Sequence, residues 1–426
     1  MSLPRYPEYK DSGVPWLGAV PAHWGICTLK RVASLRSGES ITADSIETEG
    51  PYPVYGGNGL RGYTDGFTHE GDFVLVGRQG ALCGNVNYAN GRFWASEHAV
   101  VVTPVKQASI TWLGELLRAA NLGQYSVSAA QPGLSVDAIA SLGVPYPPIG
   151  EQLGIARFLG RETARIDALI AEQEKLLALL AEKRQATISH AVTRGLDPNV
   201  PMKDSGIAWL GEVPAHWEVR RLRVIATVQT GIAKGKDVTG KPTIRVPYLR
   251  VANVQDGYLD LDEIAEIEIE PDQLSRYRLE LGDVLMNEGG DFDKLGRGAI
   301  WNGEVESCIH QNHVFAVRPH SVSPQWLTLV TGSAYAQFYF KGRAKQSTNL
   351  ASISSTNVME LPVVLPPAAE QESIVEFIRE AMARMDALTA AASRAVELLR
   401  ERRGALISAA VTGQIDVGGL VEMDAG

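Results

Sequence analysis

Two segments of the chain repeat apolar residues at intervals of three, four and seven positions, with charged residues between them. The first segment follows Pro147-Pro148 and the second follows Pro366-Pro367. A seven-residue apolar repeat with charged flanks is typical of helices that pair along a coiled-coil seam. The predicted seam residues are Ile155, Leu159, Ile166, Leu169, Leu176 and Leu180 in the first helix, and Ile374, Ile378, Met385, Leu388, Ala395 and Leu399 in the second.

The predicted helices are long. Each has about 40 residues and therefore spans about 60 Å at a rise of 1.5 Å per residue. One interpretation is an amphipathic helix packed on its own domain. Because a small domain cannot cover so long a helix, we expect instead that the two helices cover each other.

The segments before each helix have a different pattern. Short β-branched and aromatic runs, such as "GDFVLVGR" and "HVFAVRP", are bounded by Gly, Pro, Asn and Asp. Such runs are typical of strands. Short helical patterns such as "ITWLGELLRAA" lie between them. The sequence therefore predicts an α+β fold.

The chain also repeats itself. The phrase "KDSGVPWLGAVPAHW" at 10–24 returns as "KDSGIAWLGEVPAHW" at 203–217, an offset of 193 residues, and we call each copy a collar motif. The segment 142–197 aligns without a gap onto 361–416, an offset of 219. Internal repeats indicate a repeated structural unit. The turn-rich collar predicts a packing element, in which His23 and His216 are structural rather than catalytic.

Between these constant ends lie two unlike middles. Residues 39–130 and 232–345 share little beyond a Gly-Asp step and a His-containing strand, "SEHAVVVTP" and "QNHVFAVRP". This layout indicates one task performed twice on two different targets. The predicted organisation is a first domain with its collar at 1–150, a helix at 151–196, a second domain with its collar at 197–368, a helix at 369–416 and a tail at 417–426.

Charge limits the possible partners. The net charge is −9 and the isoelectric point is near 5.5. A protein that binds nucleic acid unaided is usually basic, because phosphate neutralisation supplies much of the affinity. The segment 256–272 has eight acidic residues and no basic one, so we expect it to face away from any phosphate backbone. Local reading of nucleic acid, helped by a partner, remains compatible with this charge.

Location and redox state follow from composition. No run of eighteen apolar residues predicts a membrane span, and the N-terminal residues do not have the pattern of a secretory signal. The three cysteines are odd in number and far apart, which favours reduced thiols. We therefore expect a cytoplasmic protein without membrane partners.

Catalytic motifs are not found in the sequence. "GKDVTGKP" at 235–242 misses a phosphate-binding loop because Pro242 stands where Ser or Thr should ligate Mg²⁺. "HQNH" at 310–313 has no convincing third metal ligand. No nucleophile elbow or methyltransferase Asn-Pro-Pro-aromatic motif is found. The sequence thus favours a non-catalytic chain that binds neither metal nor cofactor.

What remains is recognition, and the middles carry suitable side chains in glycine-rich loops. Arg pairs with guanine, and Asn or Gln with adenine, through two hydrogen bonds in the major groove. Lysine contacts phosphates. The predicted DNA-binding residues are Asn58, Arg61, Arg78 and Gln79 in the first domain, and Lys234, Lys236, Lys341, Arg343, Lys345, Gln346 and Asn349 in the second.

The order of these motifs resembles the specificity subunits of Type I restriction–modification systems. The resemblance rests on "WLGAVPAHW", a variable region, "YPP" or "LPP" followed by "EQ", a long helix, and then the same order again. The segments "LSVDAIASLGVPYPPIGEQ" and "ASISSTNVMELPVVLPPAAEQ" resemble the lead into each conserved helix of that family. The resemblance covers the chain from about residue 7 to residue 416.

The resemblance implies two target-recognition domains joined by two antiparallel helices that form a coiled coil, with pseudo-twofold symmetry. Each domain would read one half of a bipartite, asymmetric double-stranded DNA site. The helices would set the spacer and dock two modification (methyltransferase) subunits. Those partners would bring S-adenosylmethionine, and restriction subunits would add ATP- and Mg²⁺-dependent translocation and cleavage.

Two other interpretations compete with this one. A fused restriction–modification enzyme would need methyltransferase motifs, which the sequence lacks. A protein–protein scaffold with two variable binding domains that do not bind DNA is the alternative.

Overall fold

The computed structural model describes residues 3–80, 82–126, 133–234, 240–290, 295–296, 298–346 and 351–422. Its longest elements are two helices, Ile149–Arg194 and Ala368–Val411, which we call the first and second long helices. Each begins directly after a proline pair, because the residue before proline avoids the helical region. They begin within two residues of the predicted starts at 151 and 369.

The chain divides into two compact units. The first unit comprises Met1–Glu174 and Ser393–Gly426, and the second comprises Lys175–Ala392. The division passes through the middle of both long helices rather than through their ends, where the predicted domain boundaries lie. Each unit therefore contains the start of one long helix and the end of the other.

Ion pairs join the two long helices inside each unit. Because the residue numbers of one helix fall as those of the other rise, the helices run antiparallel. Exposed pairs of this kind contribute about 0–1 kcal/mol each, so the apolar seam supplies most of the stability. The pairs are Asp167–Arg403 (2.8 Å) and Glu174–Arg400 (2.9 Å) in the first unit, and Arg184–Asp386 (2.6 Å) in the second.

The ends of the long helices belong to the domain cores. In the first unit, Ile155 and Leu159 share one buried cluster with Ala410 and Val411. In the second unit, the matching positions Ala191, Val192, Ile374 and Ile378 are buried together. The helices thus pack on their domains at their ends and pair with each other between those ends, so each of the two sequence interpretations describes part of their length.

The seam prediction was wrong at three positions. In the middle of the first helix the inward-facing positions lie one residue later than predicted, at the half-buried Ile170 and Leu177. In the second helix Leu388 is exposed, and the buried residues on either side of it are Met385, Ala392 and Val396. Apolar residues spaced three and then four positions apart, or four and then three, give the same seven-residue period. Both candidate positions are apolar in the first helix, so the pattern alone does not separate them. The misplaced residues are Leu169, Leu176 and Leu388, whose exposed fractions are 46%, 39% and 53%.

The other predicted seam residues lie on the inward side. Those that are buried are Ile155, Leu159, Ile166, Leu180, Ile374, Ile378 and Met385, while Ala395 and Leu399 are half-buried.

The first unit is built on short strands, with helices at Ile110–Ala119, Val136–Ala140 and Gly418–Glu422. Its strands are β1 (Tyr9–Asp11), β2 (Ala19–Pro21), β3 (Gly25–Thr28), β4 (Ala33–Ser37), β5 (Tyr52–Gly56), β6 (Gly59–Thr64), β7 (His69–Glu70), β8 (Phe73–Gly77), β9 (Val86–Ala89), β10 (Arg92–Ala95), β11 (Ala99–Pro104) and β12 (Gly143–Tyr146). They form sheets of order β1-β2, β6-β5-β10-β7, β4-β11-β8-β9 and β12-β3.

The second unit has helices at Leu222–Ile225, Pro271–Tyr277, Pro324–Thr331, Ala334–Arg343 and Ser355–Met359. Its strands are β13 (Met202–Asp204), β14 (Glu212–Pro214), β15 (Glu218–Arg221), β16 (Ala226–Thr230), β17 (Ile244–Leu249), β18 (Ala265–Ile269), β19 (Val284–Asn287), β20 (Gly289–Gly290), β21 (Gly298–Ile300), β22 (Ile309–His310), β23 (Val314–Pro319), β24 (Lys345–Gln346), β25 (Ala351–Ser352) and β26 (Pro362–Leu365). The sheet orders are β13-β14, β15-β26, β16-β23-β19-β21, β18-β17-β22 and β20-β25-β24.

The two unlike middles have the same connectivity. The order β4-β11-β8-β9 in the first unit matches β16-β23-β19-β21 in the second. A parallel pair, β5 with β10 and β17 with β22, follows in each. Sheet order depends on backbone pairing and on alternating apolar positions, so it is retained where side-chain identity is not. The predicted α+β fold with two globular domains and a coiled-coil pair is confirmed.

Candidate nucleic-acid interface

The repeated collar motif and the repeated Glu-Gln step contact each other. In the first unit, the indole of Trp24 donates to Glu151 Oε2 at 2.8 Å, and His23 Nε2 lies 2.7 Å from Glu151 Oε1. In the second unit, Trp217 and His216 both bond to Glu370 Oε2, at 3.0 and 2.8 Å. The histidines hold the start of a long helix. This contact was not predicted from the sequence, although the collar motif and the Glu-Gln step are repeated together, which indicates that they belong to one structural unit.

The glutamines that follow these glutamates fix the same turn. Gln152 and Gln371 are buried, and their side-chain amides donate to the carbonyl oxygens of Pro147 (2.9 Å) and Pro366 (2.8 Å). In the first unit Tyr6 also donates to Glu151, at 3.0 Å. Burial and the neighbouring Glu151 carboxylate raise the pKa of Tyr6, so its hydroxyl remains a donor. The constant motifs therefore position each long helix on its domain.

This contact predicts a loss of stability in Glu370→Ala. The variant leaves the fully buried indole of Trp217 without its charged acceptor, at a cost of about 2–3 kcal/mol. Thermal unfolding followed by circular dichroism should show a transition lowered by roughly 5–10 °C. Glu372→Ala, an exposed carboxylate two residues away, is the matched control. Equal melting temperatures for the two variants would contradict a stabilising role for Glu370.

The structure brings the four candidates of the first domain together. Asn58 lies in the turn between β5 and β6, Arg61 lies in β6, and Arg78 and Gln79 directly follow β8. Arg78 is half-buried and the other three are exposed. All four thus border one group of loops.

Glycines allow these loops to pack closely against each other. A Cβ on Gly77 would lie 2.1 Å from the Gly57 carbonyl oxygen, so a side chain does not fit there. A Cβ on Gly57 would lie 3.2 Å from the His98 carbonyl oxygen and 3.3 Å from that of Gln79. The two glycine-rich loops pack backbone to backbone beside His98, the histidine of the strand motif that both middles share.

In the second domain the candidates are more dispersed. Lys345 and Gln346 form β24 and are exposed. This strand pairs with β25, which pairs with β20 at Gly289–Gly290. Lys234 is exposed and follows Ile232, whose amide donates to the His310 carbonyl at 3.0 Å. Lys236 and Asn349 lie outside the described residues.

Lys341 and Arg343 belong to the helix Ala334–Arg343. The Arg343 guanidinium lies over the ring of Tyr339, 4.9 Å from its centroid. It borders a cavity that is also lined by Trp209 of the second collar and Glu360. Arg343 therefore contacts the collar side of its domain, whereas Lys345 extends into the small β20-β25-β24 sheet.

Part of the acidic segment occupies a sheet edge. Its strand β18 is at one end of the order β18-β17-β22, and β22 at the other end leads into the loop before β23. Glu266 pairs with Arg245 at 2.7 Å and Glu270 with Lys241 at 2.8 Å. The carboxylates of β18 are thus separated from the β22 loop by the width of the sheet, whereas Gly257 at the start of the acidic segment bonds through its amide to the Gly298 carbonyl at 2.9 Å.

Other kinds of site are not found in the part of the chain that the structure describes. No group of three or more His, Cys, Asp or Glu side chains there is arranged to hold a metal ion. His310 of the "HQNH" segment is fully buried and bonds through Nδ1 to the Val314 carbonyl at 2.7 Å. None of the described helices has an apolar stretch long enough to cross a membrane.

Comparison with known proteins gives consistent results. A family model described as Type I restriction modification DNA specificity domain matches residues 21–178 and 214–398. The EcoprrI specificity subunit of Escherichia coli is 44% identical over 138 residues, which are 32% of this chain and 34% of that subunit. The EcoDI specificity subunit of Escherichia coli is 20% identical over 424 residues, 93% of this chain and 90% of the relative. The chain thus spans about a third of the first relative and most of the second.

A solved structure has the same fold. It comes from a study of complex assembly and conformational transition of the type I R-M system, with a TM-score of 0.62 at 17% identity, covering 92% of this chain and 98% of the other.

The two domains share one sheet order but carry different loops, and the same collar holds each of them on a long helix. These features define a duplicated recognition protein. Because the family model matches both halves and most of the chain, the protein belongs to the Type I restriction modification DNA specificity family.

Proposed function

We propose that this chain is the sequence-specificity subunit of a Type I restriction–modification complex. One domain reads each half of a bipartite, asymmetric DNA site. The observation that carries the proposal is the duplication itself, because the same sheet order and collar contact occur twice while the sequences of the two middles, 39–130 and 232–345, differ.

The partners follow from this assignment. Double-stranded DNA binds to the loops, and two modification subunits and the restriction subunits dock on the chain. The net charge of −9 fits a reader whose electrostatic attraction to phosphates comes largely from its partners. Catalysis belongs to those partners, together with S-adenosylmethionine, ATP and Mg²⁺.

Binding measurements test the proposal. We expect the isolated chain to bind DNA weakly at physiological salt, and sequence-specific binding and adenine methylation to require the modification subunits. Specific complexes typically bind 10³–10⁷-fold more tightly than non-specific ones. Gel shifts with and without the partner, followed by methylome sequencing, provide the readout. Binding to the modification subunits without any DNA preference would favour the scaffold alternative.

A further inference from the structure

One loop makes the same backbone hydrogen bonds in both recognition domains. The Arg78 amide donates to the His98 carbonyl at 2.9 Å, and the Glu288 amide donates to the His313 carbonyl at 2.9 Å. The two histidines stand directly before β11 and β23, in the strand motif that both middles share. Arg78 and Glu288 therefore occupy the same position in the two domains.

A second hydrogen bond gives the same correspondence. The Arg78 carbonyl accepts from the amide of Leu134 at 2.9 Å, and the Glu288 carbonyl accepts from the amide of Ile353 at 2.8 Å. Leu134 and Ile353 are related by the same 219-residue offset as the long helices. The match thus extends from the variable loops into the constant part of the repeat.

Close backbone approach also recurs beside each loop. A Cβ on Gly38 would lie 2.2 Å from the Ala95 carbonyl oxygen, and a Cβ on Gly231 would lie 2.0 Å from that of His310. These glycines are related by the 193-residue offset of the collar motifs. Each loop is therefore held by a backbone framework that does not depend on the side chains it displays.

The displayed side chains have opposite hydrogen-bonding character. Arg78 donates through Nη1 to Ser37 Oγ at 3.1 Å. Glu288 Oε2 lies 2.6 Å from His313 Nδ1. Because an ionised carboxylate only accepts, Nδ1 carries the proton. Asn312 Nδ2, 3.4 Å from His313 Nε2, is placed to donate to that nitrogen. The side chains of Glu288 and His313 remain 29% and 55% exposed, so the carboxylate is oriented yet accessible.

We propose that Glu288 reads a base in the second half-site, at the position where the first domain displays Arg78. This inference rests on the proposed function. A guanidinium donates to O6 and N7 of guanine, whereas a carboxylate accepts from the N4 amino group of cytosine. Glu288 therefore selects cytosine on the strand that it faces. A hydrogen-bond donor in one domain and an acceptor in the other are held by the same backbone framework. The two domains can therefore read different bases without a change of fold.

The surroundings make a carboxylate tolerable near phosphates. His313 donates to it, and Lys345 lies on β24 in the same small sheet as β20, which begins at the residue after Glu288. The acidic strand β18 is at the far edge of its sheet from β22. His313 is a positioning residue, because it fixes the carboxylate rather than contacting the base.

The test uses the chain assembled with its modification subunits and a DNA library randomised at the second half-site. We expect Glu288→Ala to reduce discrimination for cytosine at one base pair by about 5- to 100-fold, the range of one good base contact. The other positions of that half-site and the whole first half-site should be unchanged. Glu266→Ala, which removes an exposed, ion-paired carboxylate of the same domain, is the matched control and should retain the wild-type preference.

His313 gives an independent readout. His313→Ala should weaken discrimination at the same base pair, and His313→Asn should restore part of it, because an asparagine Nδ2 can take the place of the imidazole Nδ1. Equal loss of binding to all sequences, with every base preference retained, would assign both residues a structural role and overturn the proposal. So would unchanged discrimination in Glu288→Ala.

Failure of the proposed function would look different. If the wild-type complex selects no bipartite site from the library, the chain is not a specificity subunit. If it selects such a site and Glu288→Ala selects the same site equally well, the function stands and the assignment of Glu288 is wrong. Thermal unfolding of each variant separates loss of folding from loss of reading.

Discussion

Adding one heptad to both long helices is expected to lengthen the unread spacer of the DNA site by about 3 base pairs. Seven helical residues add about 10.5 Å, and B-DNA rises about 3.4 Å per base pair along each strand. Insertions after Leu176 and after Ala395 fall at equivalent positions of the repeat, which the 219-residue offset relates. The seam stays in phase because the apolar pattern repeats every seven residues. Methylome sequencing of cells that express the variant with its modification subunits should reveal both original half-sites at the wider spacing.

Rotation limits the efficiency of this variant. Three base pairs turn the DNA by about 100°, given 10–10.5 base pairs per turn, whereas seven helical residues turn nearly two full circles at 3.6 per turn. Activity should therefore fall even though the spacing changes. A heptad in the first helix alone is the control, since it misaligns the pairs with the second helix and should lower thermal stability without producing a new spacing. Full activity at the original spacing in the double insertion would exclude the helices as the ruler.

Replacing residues 39–130 with the same region of a relative is expected to change one half-site completely and leave the other untouched. Methylation of the original site should fall by about a thousandfold or more, because specific binding exceeds non-specific binding by that much. The independence follows from the separate cores of the two units. The donor region must have glycine at the positions of Gly57 and Gly77, where the two backbones lie too close for a side chain. It must also have apolar residues at the core positions Trp112 and Leu116.

The reciprocal replacement of residues 232–345 is the matched experiment and should change the other half-site. Methylome sequencing of each chimera, assembled with the same modification subunits, gives both outcomes. A chimera in which both half-sites change would show that the domains do not read independently.

The helices were predictable because their signal is periodic and local. Proline pairs mark where they begin, and buried residues such as Ile155 and Ile374 recur at helical spacing. The slip at Leu169 and Leu176 arose because Ile170 and Leu177 are equally apolar, and only the partner helix decides which of two neighbours faces inward. Pairing of helices that lie about 200 residues apart is a tertiary effect that one helix does not encode.

The recognition site was only partly predictable. The glycine-rich sequences around Arg61 and Arg78 drew attention to the first domain, and the structure brings those loops together. Glu288, which we propose as a base reader, was not predicted, because the candidates were chosen among Arg, Lys, Asn and Gln side chains. Its equivalence to Arg78 is defined by backbone hydrogen bonds to His98 and His313. Because such bonds do not depend on the side chain, the sequence does not predict them.

The division of the chain into units has a consequence for its synthesis. The second unit is one continuous segment, whereas the first joins residues that are far apart, as in the hydrogen bond from the Asp416 amide to the Pro4 carbonyl. At roughly 5–20 residues per second, the ribosome needs on the order of 10–45 s to travel from one part of the first unit to the other. During that interval Ile155 and Leu159 lack the apolar partners that the end of the second long helix supplies. The domain that is translated first is therefore the last to complete its core, and the nascent chain exposes an apolar surface that molecular chaperones would shield.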